Sequence, residues 1–126
     1  MLFVYGTLRK AFDHPMHRLL RAHANFVGTG TFQGKLYDLG RFPGAVSSNE
    51  PPDKVLGEIY RLRDAEETFR ILDEYEGTAF SRNRVSMRNN DGKKIGVWIY
   101  LYNRRVSKAR MIPSGDYTEA GVRLLV

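Results

Sequence analysis

Short apolar runs, interrupted by glycines and turns, occupy most of this chain and predict a protein built mainly of strands. Met1–Tyr5 is a continuous apolar run that is too short for a helix and rich in strand-forming residues, so it predicts a buried strand. Ala24–Leu39 is β-like with glycines inside it, which indicates the bulges or bends that small barrels need. Gly40–Val46 predicts a turn into another extended piece, and the polar segment Ser47–Asp53 predicts an exposed loop. Val55–Leu62 then predicts a clear strand.

Beyond the second helical segment, the chain predicts a hairpin followed by irregular structure. Phe80–Met87 and Ile95–Tyr102 alternate as strands do, and Asn89–Gly92 between them is a favourable hairpin turn. Because side chains alternate along a strand, one face of the second strand carries three aromatic residues: Trp98, Tyr100 and Tyr102. The other face carries three apolar residues: Val97, Ile99 and Leu101. The remainder, Asn103–Val126, contains proline and glycine and predicts irregular structure.

Two segments have the hydrophobic spacing of helices. Asp13 can cap the first helix, whose first turn tolerates Pro15. Its inward face is expected to carry four residues: Met16, Leu19, Leu20 and His23. Asp64 and Glu67 form a variant of the capping box at the start of the second helix, and Gly77 ends it.

The second predicted helix ends on a residue that does not match its face. At about 100° per residue, one side of this helix carries Ala65, Phe69, Leu72 and Glu76. A carboxylate at the end of an apolar stripe loses solvation, which favours its neutral form and raises its pKa. A general acid or base that works near neutral pH needs such a pKa, so Glu76 is a candidate catalytic residue. The alternative is a structural glutamate paired with an arginine such as Arg82 or Arg84, since most perturbed carboxylates are structural.

Gly6 ends the first predicted strand and allows the backbone to turn sharply, because glycine adopts positive φ without steric penalty. Thr7 and Leu8 follow, and their backbone N–H groups are expected to be free. A strand end, a glycine turn and several unpaired donors together indicate a nest for an anion or an oxyanion. The alternative is a plain turn between a strand and a loop.

Composition narrows the class of protein. At 126 residues, the chain is expected to be one domain, residues 1–126, with a core of its own. It contains no cysteine, which excludes disulfides, thiol catalysis and thiolate metal sites. No apolar run approaches the roughly 18 residues of a membrane span, so no membrane partner is expected. The first strand begins at Met1, which leaves no room for a signal peptide, so a cytoplasmic protein is expected.

The formal net charge of +6 could attract nucleic acid or an anionic small molecule. The basic residues are scattered along the chain, however, without a block of like charge and without a known nucleic-acid motif. We therefore interpret these charges as solvated surface and expect no nucleic-acid partner.

Several segments, in the right order over nearly the whole chain, resemble the gamma-glutamylcyclotransferase family. The segment Tyr5–Leu8 follows an N-terminal strand, Gly57–Tyr60 lies in a later strand, and Leu72–Glu76 closes a helix, as in that family. Phe42–Val46 and Ser114–Tyr117 are similar to segments common in its bacterial members. Within that family, the chain resembles more closely the gamma-glutamylamine cyclotransferase-like proteins and their small bacterial relatives.

The resemblance implies an α+β fold, with a small mixed β-barrel-like sheet, two main helices and a cavity at one end. It also implies a reaction in which the α-amine of a γ-glutamyl group attacks its own γ-carbonyl and releases 5-oxoproline and an amine. The family's catalytic glutamate matches Glu76, and its glycine loop matches Tyr5, Gly6, Thr7 and Leu8. Tyr100 or Tyr102 would wall the cavity. The implied partner is a small γ-glutamyl substrate, with no metal or cofactor, and the implied state is a monomer or weak dimer.

Two other functions remain open from the sequence. A binding module could keep the cavity and recognise a γ-glutamyl-like metabolite without turnover. The basic surface could instead bind nucleic acid, in which case the affinity would fall steeply with salt.

Overall fold

A computed structural model of the chain describes residues 1–6, 8–9, 14–40, 42–106 and 110–117. Within these ranges the helices are α1 (Pro15–His23) and α2 (Ala65–Glu76). The strands are β1 (Leu2–Val4), β2 (Ala24–Phe32), β3 (Gly34–Asp38), β4 (Pro43–Ser47), β5 (Val55–Leu62), β6 (Phe80–Asn89), β7 (Lys94–Tyr102) and β8 (Arg110–Met111). None of the helices in the described ranges is long and apolar enough to cross a membrane.

Five of these strands close into a barrel in the order β1-β5-β2-β6-β7. The barrel closes where β1 lies parallel to β7, with Leu2 opposite Trp98, whereas its other neighbouring strands are antiparallel. A separate three-stranded sheet has the order β4-β3-β8. The α+β fold, with a mixed barrel-like sheet and two helices, is therefore confirmed.

The barrel wall separates two hydrophobic clusters. Phe3 of β1 and Ile99 of β7 belong to one cluster, which extends to the three-stranded sheet. Leu2 and Val4 of β1 belong to the other, together with Leu20 of α1 and residues of α2. Because β1 is buried on both faces, its sequence is continuously apolar rather than alternating. The two faces predicted for β7 follow the same division, with Val97, Ile99 and Leu101 packed in the first cluster and Trp98 and Tyr100 packed in the second.

The predicted bulge and hairpin turn are both present. The pairing of β2 with β5 shifts register between Phe26 and Gly28, where the barrel wall bends. The turn between β6 and β7 contains Gly92 at a φ of 79°, a left-handed value that favours glycine. The irregular structure predicted after Asn103 is wrong at β8, which pairs with β3. Two residues are too few to show an alternating pattern.

Helix α1 differs from its prediction at the cap and on its buried face. It begins at Pro15, and the His14 side chain caps it by accepting a hydrogen bond from the Met16 N–H, 3.1 Å between nitrogens. The predicted cap, Asp13, lies outside the described residues. The buried residues of the helix are His17 and Leu20, whereas the other residues assigned to its inward face are partly exposed.

Helix α2 begins and ends where the sequence predicts, and Gly77 ends it with its N–H bonded to the Asp73 carbonyl. The predicted capping box is wrong, because the Asp64 side chain makes no capping hydrogen bond and Glu67 instead pairs with Arg70. Ala65, assigned to the buried stripe, is exposed. The stripe otherwise faces the barrel and carries Leu72 into the second cluster.

Candidate active site

A cavity of about 190 Å³ lies at the carboxyl end of β1, where the chain leaves the barrel. Its lining comes from β1 and the loop after it, the β3–β4 turn, the end of α2, and strands β6 and β7: Phe3, Val4, Tyr5, Gly6, Leu8, Phe42, Pro43, Tyr75, Glu76, Phe80 and Tyr100. At about 30 Å³ for each water, this volume holds about six waters. The cavity therefore suits a molecule the size of an amino acid.

The loop after β1 turns tightly beside this cavity. The Arg9 N–H donates to the Gly6 carbonyl, 3.0 Å away, which closes the turn. The positive φ predicted at Gly6 is wrong, since Gly6 is not among the glycines with positive φ. Glycine is needed there because a Cβ would lie 2.8 Å from Pro43 Cγ, so its absence allows the loop and the β4 strand to touch. Among the described residues, no backbone hydrogen bond engages the N–H of Gly6 or of Leu8. Thr7, the remaining member of the predicted nest, lies outside the described residues.

Buried polar groups hold this loop from behind. His17 Nδ1 donates to the Leu8 carbonyl at 2.8 Å, which ties the loop to α1 and satisfies a buried histidine. The Arg9 guanidinium lies between two carboxylates, with its Nε 3.5 Å from Glu58 and its Nη1 2.9 Å from Asp116. Glu58 is only 3% exposed and also accepts a hydrogen bond from the Tyr60 hydroxyl at 2.9 Å. These contacts join the loop to β5 and to the segment after β8.

Sequence reasoning did not find this network. A glutamate inside the apolar strand Val55–Leu62 is a signal that could have drawn attention to Glu58, because buried carboxylates need partners. The sequence gives no indication, however, that Arg9 is the partner of Glu58 or that Asp116 also binds Arg9.

Glu76 lies at the end of α2, partly buried against the cavity. Burial raises the pKa of its carboxyl group to about 7. Within the described residues, no hydrogen bond or ion pair engages that carboxyl group. Among the described residues, the two arginines offered as alternative partners, Arg82 and Arg84, do not pair with Glu76. Arg82 instead donates two hydrogen bonds to Asp73, at 2.9 and 3.2 Å, and the Arg84 guanidinium lies 5.7 Å from the Trp98 ring centre.

Tyr5 and Tyr100, two of the three tyrosines that line the cavity, use their hydroxyl groups within the protein. The Tyr5 hydroxyl donates to the Tyr100 carbonyl at 2.6 Å and accepts from the Ala45 N–H at 3.1 Å. The Tyr100 hydroxyl donates to Asp73 at 2.6 Å. Burial, above all, raises the pKa of both phenols. The hydrogen bond to the Asp73 carboxylate raises the pKa of Tyr100 further, and the Glu76 carboxylate adds a smaller increase for both. The Tyr5 hydroxyl therefore joins β1, β4 and β7 around the cavity.

The structure thus brings five of the predicted site residues to one cavity: Tyr5, Gly6, Leu8, Glu76 and Tyr100. Tyr102 is outside that lining, because its ring packs against Phe80 with the ring centres 5.5 Å apart. Among the residues that the structure describes, no three histidine or acidic side chains converge as a metal site requires. The described lining offers a tight glycine loop, apolar walls and the Glu76 carboxyl group, which has a raised pKa and no partner among the described residues. This combination is suited to moving a proton on a small substrate.

Comparison with known proteins finds relatives that share the sequence pattern and the fold of this chain. The sequence pattern of the family described as "Gamma-glutamyl cyclotransferase, AIG2-like" matches residues 2–119. The gamma-glutamylcyclotransferase family protein YtfP of Escherichia coli K12 is 32% identical over 123 residues, which cover 94% of this chain and 96% of that protein. The solution structure of YtfP from Escherichia coli has a TM-score of 0.64 at 30% identity, covering 95% of this chain and 97% of that one. An AIG2-like protein from Mus musculus has the same fold, with a TM-score of 0.69 at 23% identity, covering 85% of this chain and 79% of that one.

Proposed function

The chain belongs to the AIG2-like gamma-glutamyl cyclotransferase family, and we propose that it converts a γ-glutamyl amine or γ-glutamyl amino compound into 5-oxoproline and a free amine. One observation carries this proposal. The only charged side chain among the described lining residues, Glu76, has a pKa raised to about 7 and shares the cavity with the Gly6 loop.

The proposed reaction needs no second substrate. The α-amine nitrogen of the γ-glutamyl group attacks its own γ-carbonyl carbon and forms the ring C–N bond, while the carbonyl oxygen becomes an oxyanion. Glu76 accepts a proton from the attacking nitrogen. When the oxyanion collapses, the bond to the leaving nitrogen breaks, and Glu76 returns the proton to that nitrogen. A carboxyl group with a pKa close to the working pH can perform both transfers.

The loop after β1 is the proposed site for the developing negative charge. Oriented backbone N–H groups stabilise an oxyanion in a site that excludes water. Gly6 and Leu8 line the cavity, and within the described residues their N–H groups have no backbone partner. Thr7 is included among the proposed donors only because it matches the family's glycine loop. The buried contacts of Arg9 and His17 would hold these donors in place, so that they need not reorganise during the reaction.

The size and polarity of the cavity agree with an intramolecular reaction. Because the substrate carries its own nucleophile, the protein has mainly to hold the γ-glutamyl group in a ring-closing conformer, and such orientation accounts for a large part of the barrier. A cavity of about 190 Å³ with apolar walls can exclude water around a group of this size.

Quantifying 5-oxoproline and free amine tests the proposal. Purified protein is incubated with γ-glutamyl amines, γ-glutamyl amino acids and glutathione, and each compound is paired with a copy acetylated on the α-amine. We expect equal amounts of the two products from at least one parent compound and none from its acetylated copy. Binding measured by calorimetry, without product from any compound over hours, would contradict the enzyme and favour the binding module.

A further inference from the structure

The mouth of the cavity carries large apolar side chains that are open to solvent. Phe42 is 42% exposed and Tyr75 is 41% exposed, and both line the cavity. They come from different elements, since Phe42 precedes β4 and Tyr75 immediately precedes Glu76 in α2. Exposed aromatic side chains that border a cavity are a common mark of ligand contact.

Both rings are held by neighbours. The Phe42 ring packs on Phe80 with the ring centres 5.7 Å apart. The Tyr75 ring packs edge-on against His14 with the centres 5.6 Å apart, and its hydroxyl lies 3.3 Å from His14 Nε2. An apolar ligand would therefore meet rings that are already oriented, which lowers the entropic cost of binding.

The described lining of the cavity carries charge of one sign only. Among the described lining residues, Glu76 is the only charged side chain, and the others are apolar or aromatic apart from the tyrosine hydroxyls. A carboxylate on the leaving group would find no cation among these residues and would lie in the same cavity as the Glu76 carboxylate. An aromatic amine without a carboxylate would instead bury its ring against the exposed aromatic side chains.

We propose that Phe42 and Tyr75 form a leaving-group subsite that selects aromatic amines lacking a carboxylate. This inference rests on the proposed function, because it assigns the part of the substrate that departs as the free amine. The glutamyl group would occupy the inner cavity beside Glu76, and the amine substituent would extend to the mouth.

Three substrates distinguish the effect of an aromatic ring on the leaving amine from the effect of a carboxylate. They are γ-glutamylphenethylamine, γ-glutamylethylamine, and γ-glutamylphenylalanine, which is the first compound with a carboxylate added. We expect kcat/KM for the phenethylamide to exceed that for the ethylamide by about tenfold to hundredfold, as apolar pockets achieve. The phenylalanine compound should fall at least tenfold below the phenethylamide. Equal kcat/KM for the phenethylamide and the ethylamide would overturn the subsite, and equal values for the phenethylamide and the phenylalanine compound would overturn the selection against a carboxylate.

Variants of the two aromatic residues test whether they cause the preference for the phenethylamide. In Phe42→Ala and Tyr75→Ala, the ratio of kcat/KM for the phenethylamide to that for the ethylamide should fall towards one. Met111→Ala is a matched control, because Met111 is 38% exposed but lies outside the cavity, and this variant should keep the ratio. A ratio that is unchanged in both aromatic variants would overturn the assignment of these residues.

Calorimetry on Glu76→Gln separates the subsite from the proposed reaction, since this variant should bind without turnover. Tighter binding of the phenethylamide than of the ethylamide, with no turnover by the unaltered protein, would support the subsite and overturn the reaction. Turnover of both amides with equal affinities would support the reaction and overturn the subsite. Neither binding nor turnover would overturn both.

Discussion

Replacing Glu76 by glutamine should stabilise the protein at alkaline pH relative to acidic pH. Burial raises the pKa of this carboxyl group from 4.5 to about 7. Between these two values the native state holds more protons than the unfolded state, so the free energy of unfolding falls as pH rises and levels off above about pH 7. The shift is about 2.5 units, and at about 1.4 kcal/mol for each unit it is worth about 3 kcal/mol. Because the carboxyl group is partly exposed, screening by solvent makes this an upper bound.

Urea unfolding of the unaltered protein and of Glu76→Gln at pH 5 and pH 8 measures this effect. Taking the difference between the two proteins removes the contributions of all other titrating groups. From pH 5 to pH 8, this difference should shift in favour of the variant by up to about 2.5 kcal/mol. Glu74→Gln is the matched control, because Glu74 is an exposed residue of the same helix, and its difference should stay flat. A Glu76→Gln difference that is the same at both pH values would refute the burial argument.

Three further predictions concern the reaction and the groups around it. If Glu76 must accept a proton, kcat/KM for 5-oxoproline formation should rise about tenfold per pH unit below pH 7 and bend at about 7, whereas a flat profile from pH 5.5 to 8 would contradict its role as the base. Tyr5→Phe should lower the free energy of unfolding by about 1–3 kcal/mol in urea, because the buried carbonyl and N–H that its hydroxyl joins lose their partner, and an unchanged midpoint would count against that role. Glu58→Ala should cost about 1.5–3 kcal/mol, because the buried Tyr60 hydroxyl loses its charged acceptor and the Arg9 guanidinium keeps only the Asp116 carboxylate. The matched variant Glu50→Ala removes an exposed ion pair and should cost about 1 kcal/mol at most, so equal losses for the two would show that burial does not matter.

Local patterns were enough to predict most of the helices and strands, though not β8, and to single out the Glu76 carboxyl group. Glu76 could be found because helical spacing places it on the same stripe as Leu72, and that stripe does face the barrel. Gly6 could be found because a glycine at the end of an apolar strand needs a reason, which here is the close approach of Pro43. Both signals involve residues within one or two turns of the chain.

Contacts between distant parts of the chain could not be predicted in this way. The Arg9 guanidinium meets Glu58 and Asp116, which are far from it in sequence, and no periodicity encodes such a meeting. For the same reason, the sequence could not predict the partner of Arg82. Arg82 was a candidate ion-pair partner of Glu76, but it pairs with Asp73 instead. The burial of His17 could not be predicted from its own helix either, because its ring N–H is satisfied by the Leu8 carbonyl in the loop after β1.

The most direct test of the proposed function compares the rates of 5-oxoproline formation at pH 7.5 by the unaltered protein, by Glu76→Gln and by Glu74→Gln, on the best γ-glutamyl substrate. We expect formation in the unaltered protein and in Glu74→Gln, and a loss of at least about a hundredfold in Glu76→Gln, as removal of a general acid–base group commonly causes. Circular dichroism would check that all three proteins are folded. Full activity in folded Glu76→Gln would contradict the assignment of this carboxyl group as the proton carrier.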